Sequence, residues 1–340
     1  MGRGLLTAGI GAVGAAAFYA AALPLPLLLG PLAACLVAAL AGARLQGFVP
    51  VGKAMRVVLG VAAGASIDPG LVHRLPEMAY SVALVPLFVL VAGGVGYIFF
   101  RRLIGYDRPT AFFSAMPGGL LDMIVFGREA GANVRSLSLI HATRVLVIVT
   151  LAPLLITGLW DLPLANAPGE SARAVPPSQL ALLAIGGGAG WWIAARMGLF
   201  GASILGPLLM AAAMSLTGLI HHRPPAEAIL AAQFVIGVGI GASYTGTTPS
   251  ELRRDVLCSV AFCLLLAAVA LVFAEAVALT GLAPPLEAFL SFAPGGQAEM
   301  VVLALVAGAD VAFVVTHHVV RLVVVIVGAA LAARHIRGGH

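Results

Sequence analysis

Met116-Pro117-Gly118-Gly119-Leu120-Leu121-Asp122-Met123 has a second version later in the chain, Ala293-Pro294-Gly295-Gly296-Gln297-Ala298-Glu299-Met300. Each sets a Pro-Gly-Gly between apolar segments, with a carboxylate within the next helical turn. Proline lacks the N–H that a helix needs and clashes with the preceding turn, so a helix stops there. The paired glycines let the backbone turn where a Cβ would collide. In apolar surroundings such a break survives only where protein or a water-filled cavity satisfies its polar groups.

The surroundings are indeed apolar. Hydrophobic residues make up 61% of the 340 and charged ones only 10%, with a mean hydropathy of +1.06. Apolar runs of roughly 18 residues or more recur throughout, the signature of an all-α polytopic membrane protein. The net charge of +5 comes from Lys and Arg set singly or in pairs at the ends of apolar runs. That is a topogenic pattern, not the basic stripe of a nucleic-acid binder. Cys35, Cys258 and Cys263 lie in apolar runs without metal-ligand spacing and read as small buried hydrophobes. The opening run, Leu5 to Ala22, has the look of a signal peptide, but Gly11 and Gly14 recur as Gly187 and Gly190, so it is read as a retained helix.

Helices are expected at about 5–22, 27–43, 52–67, 77–100 and 134–158, then at about 178–195, 201–219, 226–244, 256–280 and 311–333. In both series the Pro-Gly-Gly element precedes the last helix. The two series align at offsets of 176 and 177 positions: Gly30-Pro31 falls on Gly206-Pro207, and Gly60, Gly64 and Ser66 on Gly237, Gly241 and Ser243. Around the breaks, Pro117-Gly118-Gly119, Asp122, Asn133, His141 and Arg144 fall on Pro294-Gly295-Gly296, Glu299, Asp310, His318 and Arg321. The chain therefore reads as a duplication, with repeats at 1–160 and 178–340 joined by a loop at 161–177.

Flanking charge bears on orientation. If each Pro-Gly-Gly element is re-entrant, each repeat has five crossing helices and the second is inserted upside down. With both termini in the cytoplasm, most basic residues then lie inside, including Arg3, Arg44, Arg101, Arg102, Arg253 and Arg254, and only Arg74, Arg173 and Arg223 lie outside. Segments of about ten residues on either side of Pro117 reach about 15 Å, enough to enter to the midplane and return. Inversion would bring the two hairpin tips together from opposite faces.

The candidate site residues cluster at those tips. The helix starts after Pro117-Gly118-Gly119 and Pro294-Gly295-Gly296 offer amide donors for an anion, or are only tight packing turns. Asp122 and Glu299 are candidates for proton or cation coupling, with His141 and His318 as weaker ones; equally, the carboxylates cap their own helices or neutralise a buried arginine. Arg144 and Arg321 share a helical face with His141 and His318. Each guanidinium binds an anionic solute or pairs with Asp122 or Glu299. Gly60-x-x-x-Gly64 and Gly237-x-x-x-Gly241 most simply allow close helix packing, and Asn133 and Asp310 read as N-caps. His317 has no first-repeat counterpart and reads as packing or interface. No HExxH, CxxC pair, Walker loop or GxSxG occurs.

These duplicated blocks, PGG-x-x-(Asp/Glu)-Met, Gly-Ala-(Asn/Asp) and His-x-x-Arg, resemble those of the AbrB-type bacterial membrane protein family, from about Leu5 to Ala333. Members carry labels such as ammonia monooxygenase or regulator; no metal constellation or basic recognition helix here matches either. The resemblance implies a multi-pass protein of the bacterial inner membrane and transfers no catalytic residues. The expectation is a secondary transporter, coupled to protons or sodium, of a small solute, an organic anion by weak preference. The alternative is a non-transporting membrane regulator or sensor of a metabolite, with an enzyme less favoured. Expected partners are a small-molecule solute and the lipid bilayer, with a homodimer left open and no nucleic acid. No cofactor and no metal are expected.

Overall fold

The computed structural model describes residues 2–67, 69–162, 164, 169–199 and 201–337, with the side chains of 69–75, 121–122, 330 and 332–337 outside the described set. Among the described residues every regular element is helical. The first half contains α1 (Gly2–Ala20), α2 (Pro26–Leu40), α3 (Val49–Gly64), α4 (Pro69–Ile98), α5 (Arg108–Ala115), α6 (Leu120–Glu129) and α7 (Val134–Trp160). The second contains α8 (Pro177–Arg196), α9 (Ala202–Leu216), α10 (Ala226–Ala242), α11 (Pro249–Glu251), α12 (Leu257–Leu279), α13 (Pro285–Phe292), α14 (Gln297–Ala307) and α15 (Val311–Arg337). A π turn, Phe99–Leu103, prolongs α4, and another, Leu252–Val256, joins α11 to α12.

The ten long helices coincide with the apolar runs, and α5, α6, α13 and α14 are the short segments on either side of the two Pro-Gly-Gly breaks. Among the described residues six helical stretches are long and apolar enough to cross a membrane, the most apolar being Pro249–Leu279 with a hydropathy of 2.9. Their outward faces carry large apolar side chains, among them Leu90, Val272 and Leu279. Exposed apolar surface on this scale belongs in lipid; the chain has the architecture of a polytopic membrane protein.

Two compact units emerge, and each draws on both halves of the sequence. One comprises Met1–Leu75, Thr150–Thr247 and Ala298–Ala312. Within it α1 packs on α2 and α8 on α9, while α3 packs on α9 and α10 on α2. Small residues set these approaches. A Cβ on Gly14 would fall on the carbonyl of Gly30, and one on Gly190 would lie 2.5 Å from the Gly206 oxygen. Gly60 and Gly64 sit against the carbonyls of Ile204 and Leu208, as Gly237 and Gly241 do against those of Leu28 and Leu32. In lipid, helices gain little from hydrophobic burial against one another, so close backbone contact carries the association. The glycine contacts of α1 with α2 resemble those of α8 with α9, and those of α3 with α9 resemble those of α10 with α2.

The other unit comprises Pro76–Val149, Thr248–Gln297 and Phe313–His340. Its interior is aromatic: Phe88 meets Phe273 and Phe292 edge-on at 5.4 and 5.6 Å, and Phe100 meets Phe262 at 4.8 Å. Gly96 leaves room for Phe262, whose ring would stand 2.8 Å from a Cβ there. Both helix breaks belong to this unit.

Candidate functional site at the two helix breaks

A helix that stops ahead of a proline leaves its last carbonyls without an N–H, among them the one four residues before the proline. For Pro117 that carbonyl is Phe113, and for Pro294 it is Leu290. Histidines from the long helices fill both positions: His141 Nε2 donates to Phe113 O at 2.9 Å and His318 Nε2 to Leu290 O at 2.9 Å. Both histidines are almost wholly buried. In a neutral ring that donates from Nε2, Nδ1 is a bare acceptor.

One turn further along, the arginines span the breaks themselves. Arg144 Nη1 donates to Met116 O at 2.9 Å and its Nη2 donates to Gly118 O. Arg321 Nη1 donates to Ala293 O at 2.7 Å and its Nη2 to Gly295 O at 2.9 Å. Each guanidinium therefore ties the carbonyl just before a proline to the one just after it. The carbonyl end of α5 or α13 carries partial negative charge, so a cation is well placed there. Arg144 and Arg321 are 2% and 6% exposed, and their positive charges lie within electrostatic reach of each other. At low local dielectric that proximity makes the region attractive to an anion.

The two sites differ at the histidine. His318 Nδ1 accepts a second bond from Arg321 Nη2 at 2.9 Å. His141 Nδ1 is buried with no hydrogen-bond partner. Two serines share the latter condition. Ser114 and Ser291, three residues before Pro117 and Pro294, are both buried, and neither hydroxyl has a partner. Gln297 Nε2, at the start of α14, is a further buried donor without one. Buried polar atoms are nearly always satisfied, so these atoms beside the two breaks are the ones with hydrogen-bonding capacity to spare. The sequence reading passed over these serines. The same offset that pairs the prolines pairs them as well, and that signal was available.

The remaining expected residues fall as follows. Pro117, Gly118, Pro294 and Gly295 are buried, and Gly119 and Gly296 half-buried. A Cβ on Gly118 would stand 2.8 Å from Val325 and 2.9 Å from Met123, so the first tip is packed to the limit of a glycine. The side chain of Asp122, in the first turn of α6, lies outside the described residues. Glu299 lies in the first turn of α14 and is half-buried. Asn133 is an N-cap: its Oδ1 accepts from the Ser136 N–H at 3.0 Å, and its own N–H donates to Thr110 Oγ1. His317 is fully buried, between Phe313 O at 2.9 Å and Ser81 Oγ at 3.1 Å, a packing role. Among the described residues no group of three or more His, Cys, Asp and Glu side chains is placed to hold a metal.

A polar network just ahead of α5 had no warning in the sequence. Asp255, in the second π turn, is 4% exposed and accepts from the Tyr106 hydroxyl at 2.5 Å and from Ser136 Oγ at 3.0 Å. Arg254 covers the Tyr106 ring at 4.7 Å, and Arg135 pairs with Glu251 at 2.8 Å. Burial, then the bond to Asp255 and its charge, push the Tyr106 hydroxyl above the usual tyrosine range against the opposing pull of Arg254.

Comparison with known proteins fits this picture. A family model described as "Transition state regulatory protein AbrB" matches residues 27–337. "Uncharacterized protein YhjN" of Bacillus subtilis (strain 168) is 29% identical over 293 residues, covering 80% of this chain and 74% of that protein. "Putative regulator AbrB" of Escherichia coli (strain K12) is 24% identical over 330 residues, covering 94% of this chain and 92% of that one.

Proposed function

This chain belongs to the AbrB family, whose model it matches over most of its length, and on that premise we propose that it is a secondary transporter of a small solute, in the first instance an organic anion. The observation that carries the reading is the pair of breaks in one compact unit, each spanned by a buried arginine and flanked by a buried serine whose hydroxyl has no partner. Such a place offers an anion positive charge, and hydroxyl donors to any solute oxygen.

Helix lengths support a re-entrant arrangement. The 8 residues of α5 and the 10 of α6 extend about 12 and 15 Å, each well short of an apolar core about 30 Å thick. Each pair then enters and returns as a hairpin, each repeat has an odd number of crossings, and the two are inverted. That inversion keeps most arginines in the cytoplasm of a bacterium and both termini with them. Coupling to protons or sodium falls to Asp122 and Glu299, with His141 the histidine whose acceptor nitrogen is open. No catalytic role is assigned to any residue.

Purified protein in proteoliposomes, supplied with small organic acids under an imposed proton or sodium gradient, tests this. Saturable uptake that collapses with the gradient is expected. Binding of the same acids without gradient-driven flux would instead establish the second reading, a membrane sensor, which the word regulator in a relative's name favours.

A further inference from the structure

Away from the breaks, a cavity of about 350 Å³ opens at one end of the first unit, lined by Arg3, Leu40, Arg44, Thr245 and Thr247 among others. It lies where α1 begins and where α2 and α10 end. We propose that this cavity is a binding site for a phosphate group, supplied by the headgroup of an anionic lipid or by a soluble phosphorylated molecule.

Three of the donors there, on Arg3, Arg44 and Thr245, are uncommitted. Neither the Arg3 nor the Arg44 side chain makes a hydrogen bond or ion pair among the described residues, and both are exposed. Elsewhere arginines are engaged: Arg101 donates to Tyr106 O, Arg135 binds Glu251, and Arg196 lies over Trp192. Thr245 Oγ1 is buried without a partner. Among the described residues no carboxylate lines the cavity.

A bland account would have the two arginines serve the helix ends, but those carbonyls are already occupied. Gly42 N–H bonds Ala39 O, Ala43 N–H bonds Ala38 O and Thr245 N–H bonds Ala242 O. Thr247 Oγ1 donates to Tyr244 O at 2.7 Å. The mouth is also held in shape, since Thr7 Oγ1 donates to Arg3 O at 2.8 Å and accepts from Gln46 N–H at 3.0 Å. Two exposed arginines without partners lining one cavity match a tetrahedral oxyanion, which accepts forked bonds on several oxygens, and the Thr245 hydroxyl adjoins them.

The other half of the duplication lacks this site. Gln179 stands where Arg3 does, and its amide closes on the neighbouring turn, donating to Leu219 O at 3.3 Å and accepting from His221 N–H at 3.0 Å. Ile220 stands where Arg44 does. Lipid is the source that the surroundings favour. Leu40 lines the cavity at 43% exposure and Val37, a turn earlier, is 67% exposed, so apolar surface for an acyl chain continues along α2. The distribution of basic residues places this end at the cytoplasmic face, where anionic lipid collects.

The test uses the full chain in detergent, with its melting midpoint titrated by phosphatidylglycerol, phosphatidylcholine and glycerol phosphate. Phosphatidylglycerol should raise the midpoint saturably and phosphatidylcholine should not. The apparent affinity should fall about tenfold or more in the Arg3→Ala/Arg44→Ala double variant, and less in Thr245→Val, while Arg102→Ala, at an exposed arginine outside the cavity, stays as the parent. Saturation by glycerol phosphate, lost in the double variant, supports the phosphate site with a soluble source. Equal responses to the two lipids with none to glycerol phosphate, or a double variant that still binds as the parent, overturns the site.

Discussion

The first and second breaks are built to one plan and finished differently. In both, a helix that stops before a proline leaves a carbonyl unbonded, a histidine fills it, and an arginine bridges the carbonyls on either side of the proline. Only at the second does the arginine also bond its own histidine, closing that side chain's last acceptor. At the first, His141 Nδ1 stays open. The shared parts are those that a broken helix needs in order to exist in an apolar interior. The unshared atom is an acceptor left open to a donor from outside the protein, and it sets the first break apart from the second.

The largest effect should come from the shared parts. Arg144→Ala or Arg321→Ala strands two buried carbonyls, each costing about 1–3 kcal/mol, and both variants should melt far below the parent in detergent. Lysine should restore only part of the loss, because a point charge cannot fork between two carbonyls. A parent-like melting midpoint for either alanine variant would mean that the arginines do not hold the breaks together.

Much of this plan was legible in the sequence. Apolar runs placed the ten long helices, Pro-Gly-Gly placed both breaks, and the offset paired Arg144 with Arg321. The destination of the arginines was not legible. A buried guanidinium needs acceptors, and sequence displays side-chain acceptors while hiding backbone ones; the carbonyls at Met116, Gly118, Ala293 and Gly295 become available only because the chain breaks there. The π turns were hidden for a related reason. Nothing in Phe99–Leu103 or Leu252–Val256 departs from an ordinary helical composition, and the second turn is defined by where Asp255 finds Tyr106 and Ser136.

That network sharpens the comparison, since it sits ahead of α5 and the offset gives it no counterpart ahead of α13: Ala283 and Met78 stand where the offset would place Tyr106 and Asp255. Tyr106→Phe removes a hydrogen bond to a carboxylate, worth about 1.5–3 kcal/mol. The effect has a pH signature. Below about pH 10, the ordinary tyrosine value, folded and unfolded chains both keep the proton and the contribution is constant. Above it the unfolded chain ionises first, so stability falls as pH rises. Melting followed from pH 7 to 11 should show a steeper alkaline loss in the parent than in the variant; parallel curves would detach Tyr106 from the fold's pH response.

The histidines allow a cycle. If His141 is present because the helix stops before Pro117 and leaves Phe113 O unbonded, Pro117→Ala lets the helix run on and bring an N–H to that carbonyl, and should make His141→Ala less damaging than it is alone. A coupling of about 1 kcal/mol is expected for such neighbours. Pro294 and His318 should behave alike in stability, with His318→Ala also costing the bond to Arg321. Additive effects at both breaks would show that each histidine is held for some other reason.

The smallest change is the most telling about function, because its two readouts should move in opposite directions. Ser114→Ala and Ser291→Ala each delete a buried hydroxyl that has no partner in the protein. Removing such a group relieves a desolvation penalty, so each variant should be as stable as the parent or more stable, by about 1 kcal/mol. If the hydroxyls bond solute instead, uptake by the same variants should need higher solute concentrations, with Ser114→Ala affected more if the open His141 marks the working side. A packing role alone cannot give a better-folded protein that transports worse. Should both variants take up solute with the parent's concentration dependence, the serines have no part in the site, and the difference between the two breaks reduces to a difference in how they are held.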